Sequence, residues 1–244
     1  MAESTGFMDV WTILPVKSLS ESKGRLAHLL SPDIRAQLMH SLLDHVLSTI
    51  QNVPRITRVL VISRDPEVWR LARLYKARVV EESQPYGLNS AVAHAYGLAA
   101  GGGADAVLIL PVDLPLVTTA DINLVLDAGL GDGHENGSGG VTAMEFVPSL
   151  APPTNPQQPL MAICSDRRGD GTIGLFLRPS LEFNFHYGGN SLNEHIKEAL
   201  ERNFLVRLVN ATGLQFDLDT EEDWQLFQKN AQSKSVINFS NSAI

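Results

Sequence analysis

The sequence predicts an α/β protein of three layers, with a mostly parallel central sheet between helices. Three observations carry this. Short apolar, β-rich runs (VWTILPV, RVLVIS, AVLIL) read as strands. Stretches of about 10–20 residues with helical spacing alternate with them, the pattern of a mostly parallel sheet covered on both faces. Polar clusters fall where the predicted strands end, the edge at which open parallel sheets hold their ligands.

The elements follow in order. Val10 to Val16 is the first strand, feeding a long basic loop, KSLSESKGRL. From Ser31, a candidate N-cap with Pro32 behind it, apolar Ile34, Leu38, Leu42, Val46 and Ile50 recur every four residues and define a helix. Arg58 to Ser63 is strand two, Pro66 to Tyr75 a helix, Ala77 to Glu81 strand three, Asn89 to Ala100 a helix ended by Gly101 to Gly103, and Ala106 to Leu110 strand four. Val141 to Val147 and Leu160 to Cys164 read as further strands around a proline-rich stretch, 148–159, taken as an exposed insertion. Ser191 with Glu194, and Thr220 with Asp223, have the spacing of capping boxes. Residues 9–230 read as a single domain, with residues 1–8 a loose leader and 231–244 a mobile tail.

Composition narrows the function. The 244-residue chain is 44% hydrophobic and carries a formal net charge of −8, so nucleic acid is an unsuitable partner and any phosphate site must be a local basic patch. The single cysteine, Cys164, allows no intramolecular disulfide and no cysteine-based zinc site; it reads as core in a reducing compartment. No apolar run approaches the roughly 18 residues that span a bilayer, and a cytoplasmic location is expected.

The strand ends hold the candidate chemistry. After strand one, Lys17, Lys23 and Arg25 stand among serines and Gly24, a loop able to hold a triphosphate or simply a solvated basic loop. After strand three, Gln84 to Asn89 (QPYGLN) suits contact with a ribose or base edge, or a plain turn with Asn89 as helix cap. After strand four, Asp113 stands between Pro111 and Pro115, stiffly held as a metal ligand for nucleotide phosphates or as a turn residue. Asp217 and Asp219 in FDLDTEED would share one face of a short strand and join that site, unless Asp219 or Thr220 only caps the next helix. Two glycine-rich segments, SDRRGDGTIGL and HYGGNSLNEH, could hold a second phosphorylated molecule, with Arg167, Arg168 and Arg178 adding charge, or could be loops.

Taken in order, PVKSLSESKGRL, QPYGLN, LPVDLPL, DRRGDGTIGL, YGGNS and FDLDTEED resemble the 2-phospho-L-lactate guanylyltransferase family, which activates a phosphorylated three-carbon acid in making the deazaflavin coenzyme F-420. Some members of that family use phosphoenolpyruvate or 3-phosphoglycerate. The resemblance implies a Rossmann-like nucleotidyltransferase fold, similar to that of nucleotide-diphospho-sugar transferases. It implies that Pro15, Lys17, Lys23, Arg25, Pro85, Gly87 and Asn89 face GTP, with Lys23, Arg25 and Asp113 catalytic. Asp113, Asp217 and Asp219 are then Mg2+ ligands, while Thr172, Gly188 and Ser191 hold the acceptor acid. Ile173 stands where the family usually has Asn. Implied partners are GTP, the small acid and a transferase that consumes the product, and a homodimer could use an exposed face of helix 32–50. Two rival readings keep the fold: transfer to a sugar phosphate or molybdopterin, and a nucleotide-binding regulatory protein without turnover.

Overall fold

The computed structural model describes residues 8–84, 86–130, 158–178 and 182–229. Pro85, the predicted strand Val141–Val147, nearly all of the proline-rich stretch, and the predicted leader and tail lie outside the described residues.

The strands are β1 (Val10–Pro15), β2 (Ile56–Ser63), β3 (Arg78–Glu81), β4 (Ala106–Ile109), β5 (Leu160–Ser165), β6 (Thr172–Arg178) and β7 (Leu205–Leu208). The helices are α1 (Pro32–Gln51), α2 (Pro66–Leu74), α3 (Leu88–Gly101), α4 (Thr119–Leu130), α5 (Ser191–Glu201) and α6 (Glu221–Lys229). Among the described residues the strands form one seven-stranded sheet in the order β3-β2-β1-β4-β6-β5-β7. β1 pairs in parallel with β2 and β4, β2 with β3, and β5 with β7. β6 runs against both its neighbours, β4 and β5.

Strand side chains alternate between two cores, as the pleat requires. Val10 and Leu14 of β1 join Leu38, Leu42, Val46, Val68, Val125 and Phe227 from α1, α2, α4 and α6. Trp11 and Ile13 join Val92, Ala95 and Ala199 from α3 and α5 on the opposite face. Each fully buried Leu, Ile or Val contributes about 1.5–3 kcal/mol over its exposed state, so the two layers are held mainly by this burial. The α1 stripe is core: Leu38, Leu42, Val46 and Ile50 are at most 2% exposed, and Ser31 caps the helix by accepting from the Ile34 N–H at 3.4 Å. Cys164 is likewise a buried core residue.

Two local expectations are corrected, and one strand, β6, goes beyond them. The N-cap of α5 is Asn190, in the left-handed region at φ 61°, and Ser191 lies inside the helix with its hydroxyl turned to another strand. Asp217 and Asp219 lie in irregular chain rather than a strand, because the Leu218 N–H donates to the Asp113 carbonyl instead of a ladder. Finally, the glycine-rich segment after β5 is a tight hairpin turn leading directly into β6, which lies between β4 and β5. The Thr220 with Asp223 capping box is present, with reciprocal bonds at 2.8 and 3.3 Å. Among the described residues no helix is long and apolar enough to cross a membrane.

Candidate active site

The chain leaves β1 toward β2 and β3 on one side and returns to add β4 on the other, so the switch point of the sheet lies between β1 and β4. Loops after these two strands must meet there. The loop after β1 is pinned at its start, where the Leu19 N–H and Ser18 hydroxyl donate to the Asp65 carboxylate at 2.8 and 3.0 Å. The same carboxylate caps α2 through the Glu67 N–H. Burial pushes the Asp65 carboxyl up, but these donors outweigh it and hold it below the usual carboxylate range.

Two short 3-10 turns follow, Leu19–Glu21 and Gly24–Leu26, with Lys23 between them at φ 57°. A non-glycine residue held there costs of the order of 1 kcal/mol. In return the Lys23 side chain is buried, 4% exposed, with its ammonium 2.6 Å from Asp113 Oδ2 and 3.8 Å from Asp219 Oδ1. Arg25, largely exposed, holds the other oxygen of Asp219 at 2.6 Å. Lys17 is exposed to solvent beside β1.

The two carboxylates come from distant parts of the sequence, and backbone contacts explain their meeting. The Leu218 N–H donates to the Asp113 carbonyl at 3.0 Å, which places residues 217–219 against the turn after β4. Upstream, the Gly213 N–H donates to Asp121 Oδ1 at 2.9 Å. A Cβ at Gly213 would lie 2.3 Å from the Asp121 carboxylate and 2.5 Å from the Leu116 carbonyl, so only glycine lets this segment approach. Downstream, Arg167 in the β5–β6 turn pairs with Asp223 at 2.8 Å.

Asp217 completes an acidic cluster. Burial, and then the neighbouring Asp113 and Asp223 carboxylates, push its carboxyl up to about 6. Among the described residues no group of three or more His, Cys, Asp and Glu forms a ready metal cage. Asp113 and Asp219 nonetheless converge on one cation, the Lys23 ammonium. Two carboxylate ligands are what Mg2+ takes from protein when substrate phosphates and water fill its other positions, so this oxygen-only set fits a hard divalent ion.

The predicted acceptor residues also come together. In the β5–β6 turn, Asp166 Oδ1 accepts from the N–H groups of Gly169, Asp170 and Gly171 at 2.8–3.1 Å and sharpens the hairpin. β6 therefore starts at the ligand edge, and its first residue, Thr172, gives its N–H to Ser191 Oγ at 2.9 Å. Gly188, at φ 140°, opens the turn into α5 in a region that favours glycine. Arg178 does not belong here: it ends β6 at the opposite edge, about 20 Å along the strand by its rise per residue, and donates to the Leu130 carbonyl. The N-terminus of α5 is partly occupied too, since the Leu192 N–H donates to the Asp170 carbonyl at 3.0 Å.

Asn89 is not the helix cap; that position is Gly87. Its side-chain amide bonds the backbone of Tyr187 in both directions, which joins the turn after β3 to the turn before α5. Gly87, at φ 145°, donates its N–H to Glu82 Oε1 at 3.1 Å. Sequence reasoning missed His195 and the Arg167 to Asp223 pair. A lone helical histidine carries no spacing signal, and the ion pair exists only through tertiary structure.

Residues 10–132 match the family described as guanylyl transferase CofC like. The chain belongs to this family. Across 88% of its length the chain is 33% identical to a phosphoenolpyruvate guanylyltransferase of Rubrobacter xylanophilus, covering 92% of that protein. Over the same share it is 32% identical to a 2-phospho-L-lactate guanylyltransferase of Methanothermobacter thermautotrophicus, covering 82% of it. Among solved structures, a protein described as a nucleotide-diphospho-sugar transferase from Desulfovibrio desulfuricans superposes with a TM-score of 0.64 at 14% identity, over 92% of this chain and 88% of that one. Glucosyl-3-phosphoglycerate synthase from Mycobacterium tuberculosis, solved with Mn2+ and uridine diphosphate, gives 0.54 at 11% identity, over 94% and 77%. The CofC-like guanylyltransferase fold of this chain is thus that of the nucleotide-diphospho-sugar transferase group.

Proposed function

We propose that this guanylyltransferase moves GMP from GTP to the phosphate of a phosphorylated three-carbon acid and releases pyrophosphate, a step of coenzyme F-420 biosynthesis. Phosphoenolpyruvate and 2-phospho-L-lactate, named for its relatives, are the leading acceptors, and 3-phosphoglycerate is a third. The observation that carries the reading is the buried Lys23 ammonium held between Asp113 and Asp219 at the switch point.

The chemistry is in-line attack by an acceptor phosphate oxygen on the α-phosphorus. An ionised phosphate is already a nucleophile, so the obstacle is repulsion between two polyanions, and the residues serve to neutralise and align. Lys23, Arg25 and Lys17 face the GTP phosphates, and Pro15 ends the strand that aims them. Pro85, Gly87 and Asn89 lie beside guanosine in this reading, and the Asn89 amide also ties this segment to the Tyr187 backbone. Thr172, Gly188 and Ser191 hold the acceptor. Asp113 and Asp219, with Asp217 beside them, would hold Mg2+, which supplies charge neutralisation at the phosphates when bound. Residues 9–230 act as one domain in this proposal, and the phosphoanhydride product passes to a transferase that consumes it.

The test is pyrophosphate release with GTP and Mg2+, screened against the three acids and a set of sugar phosphates. Release with one acid and none with sugar phosphates supports the reading. Release only with a sugar phosphate overturns it.

A further inference from the structure

We propose that His195 is a positioning residue for the acceptor: it forces the Thr172 hydroxyl to accept on its protein side, leaving the hydroxyl proton for an anionic oxygen of the acid. The inference rests on the acceptor reading above.

The argument is one of donors and acceptors. His195 is 0% exposed on α5, and both ring nitrogens are engaged. Nε2 lies 2.9 Å from the backbone nitrogen of His186, which can only donate, so Nε2 carries no proton. The ring is enclosed by Phe183, Phe185 and Tyr187, and this burial keeps it neutral. The one remaining proton therefore sits on Nδ1, 2.9 Å from Thr172 Oγ1, and donates to it. The Ser191 carbonyl also favours a proton on the ring.

Thr172 thus receives a bond and must turn its own O–H elsewhere. The neighbouring hydroxyl behaves the same way: Ser191 Oγ receives the Thr172 N–H and keeps its proton to give. Thr172 and Ser191 are 7% and 2% exposed, and a buried donor left unpaired is costly. Both hydroxyls therefore keep a proton to give, and paired donors of this kind suit a carboxylate or phosphate oxygen. A sugar hydroxyl can accept the same protons but carries no charge, so an anionic oxygen is held more strongly.

Two substitutions separate positioning from support. His195→Asn keeps an N–H near the Nδ1 position and loses the acceptor for His186; His195→Gln places an acceptor near the Nε2 position and loses the donor to Thr172. With phosphoenolpyruvate as the varied substrate, His195→Gln is expected to raise its KM about tenfold or more while the KM for GTP stays within about twofold. His195→Asn is expected to stay near the parent. Thr172→Val should raise the same KM, with no further rise when combined with His195→Gln. The reverse order, with Asn worse than Gln, makes His195 a mere anchor for residues 183–187 and overturns the proposal, as does an unaffected His195→Gln. Long-range 1H–15N NMR of the parent reads the tautomer without any variant: a proton on Nδ1 is expected, and one on Nε2 refutes the inference. A parent that releases pyrophosphate with no phosphorylated acid instead sinks the acceptor reading itself.

Discussion

The side-chain amide of Asn89 and the backbone of Tyr187 bond each other twice, Nδ2 to the carbonyl at 3.1 Å and Oδ1 from the N–H at 2.7 Å, across 98 residues of sequence. This pair of hydrogen bonds ties the turn beside the proposed guanosine site to the turn that enters the proposed acceptor site. Replacing Asn89 with Ala releases both turns at once, so the KM values for GTP and for the acid should rise together, each by about tenfold. Asn89→Asp keeps the bond from the Tyr187 N–H and should fall between. Initial rates with each substrate varied in turn decide this; a rise confined to GTP would show that Asn89 meets the nucleotide directly.

Removing Asp113 acts on stability as well as rate. Lys23 is then a buried ammonium whose nearest remaining carboxylate is Asp219 at 3.8 Å, and the loss should be about 1–3 kcal/mol. Turnover should fall at least about 100-fold. The double variant Lys23→Met with Asp113→Ala removes the orphaned charge and should recover most of the stability but none of the activity. Urea unfolding and pyrophosphate release measure the two separately.

Asp217 gives a prediction for the metal-free protein. Its folded-state value of about 6 lies above the ordinary 3.8, so between these values the folded chain holds a proton that the unfolded chain has released. Stability from this group therefore falls as pH rises from about 4 to 6 and stays lower above it. Asp217→Asn should raise stability at pH 7, by no more than about 1 kcal/mol once solvent screening of this partly exposed carboxyl is allowed for. Added Mg2+ should raise the melting temperature of the parent with GTP present, and do so much less in Asp113→Asn or Asp219→Asn. An equal rise in those variants would remove both residues from the metal site.

The opposite sign holds at His195. Burial first, and then the His186 ring, pull it to about 4 from the ordinary 6.5, against the opposing pull of Glu198 and the Ser191 carbonyl. Its contribution is complete above about pH 6.5 and is lost as pH falls toward 4, on the order of 2–3 kcal/mol. Subtracting the stability curve of His195→Gln from that of the parent between pH 4 and 7 should show this slope; a flat difference would mean that the imidazole titrates normally.

What the sequence made legible depended on how local the signal was. α1 could be read because Ser31, Pro32 and a four-residue apolar spacing lie within one stretch, and β1 to β4 because each is a short apolar run bounded by polar chain. Asp217 and Asp219 have the alternation of a strand, yet Leu218 bonds the Asp113 turn, and that contact overrides the local pattern. Ser191 has the spacing of a cap, but its hydroxyl is claimed by the Thr172 N–H from another strand. Lys23, Asp113 and Asp219 could be named from the strand ends and the resemblance together. That Asp219 would join Asp113 was legible as well, but the buried Lys23 ammonium as their shared partner was not, since it exists only through tertiary structure.

The reversed direction of β6 has a consequence for how this scaffold can change. β1 to β4, with their loops, supply Lys23, Arg25 and Asp113, whereas Thr172 enters at the head of a hairpin whose strands β5 and β6 pair with each other along their length. A graft of that hairpin and the following turn into α5 would move the proposed acceptor contacts as one unit, and it must respect two ties to the rest of the site, Tyr187 to Asn89 and Arg167 to Asp223.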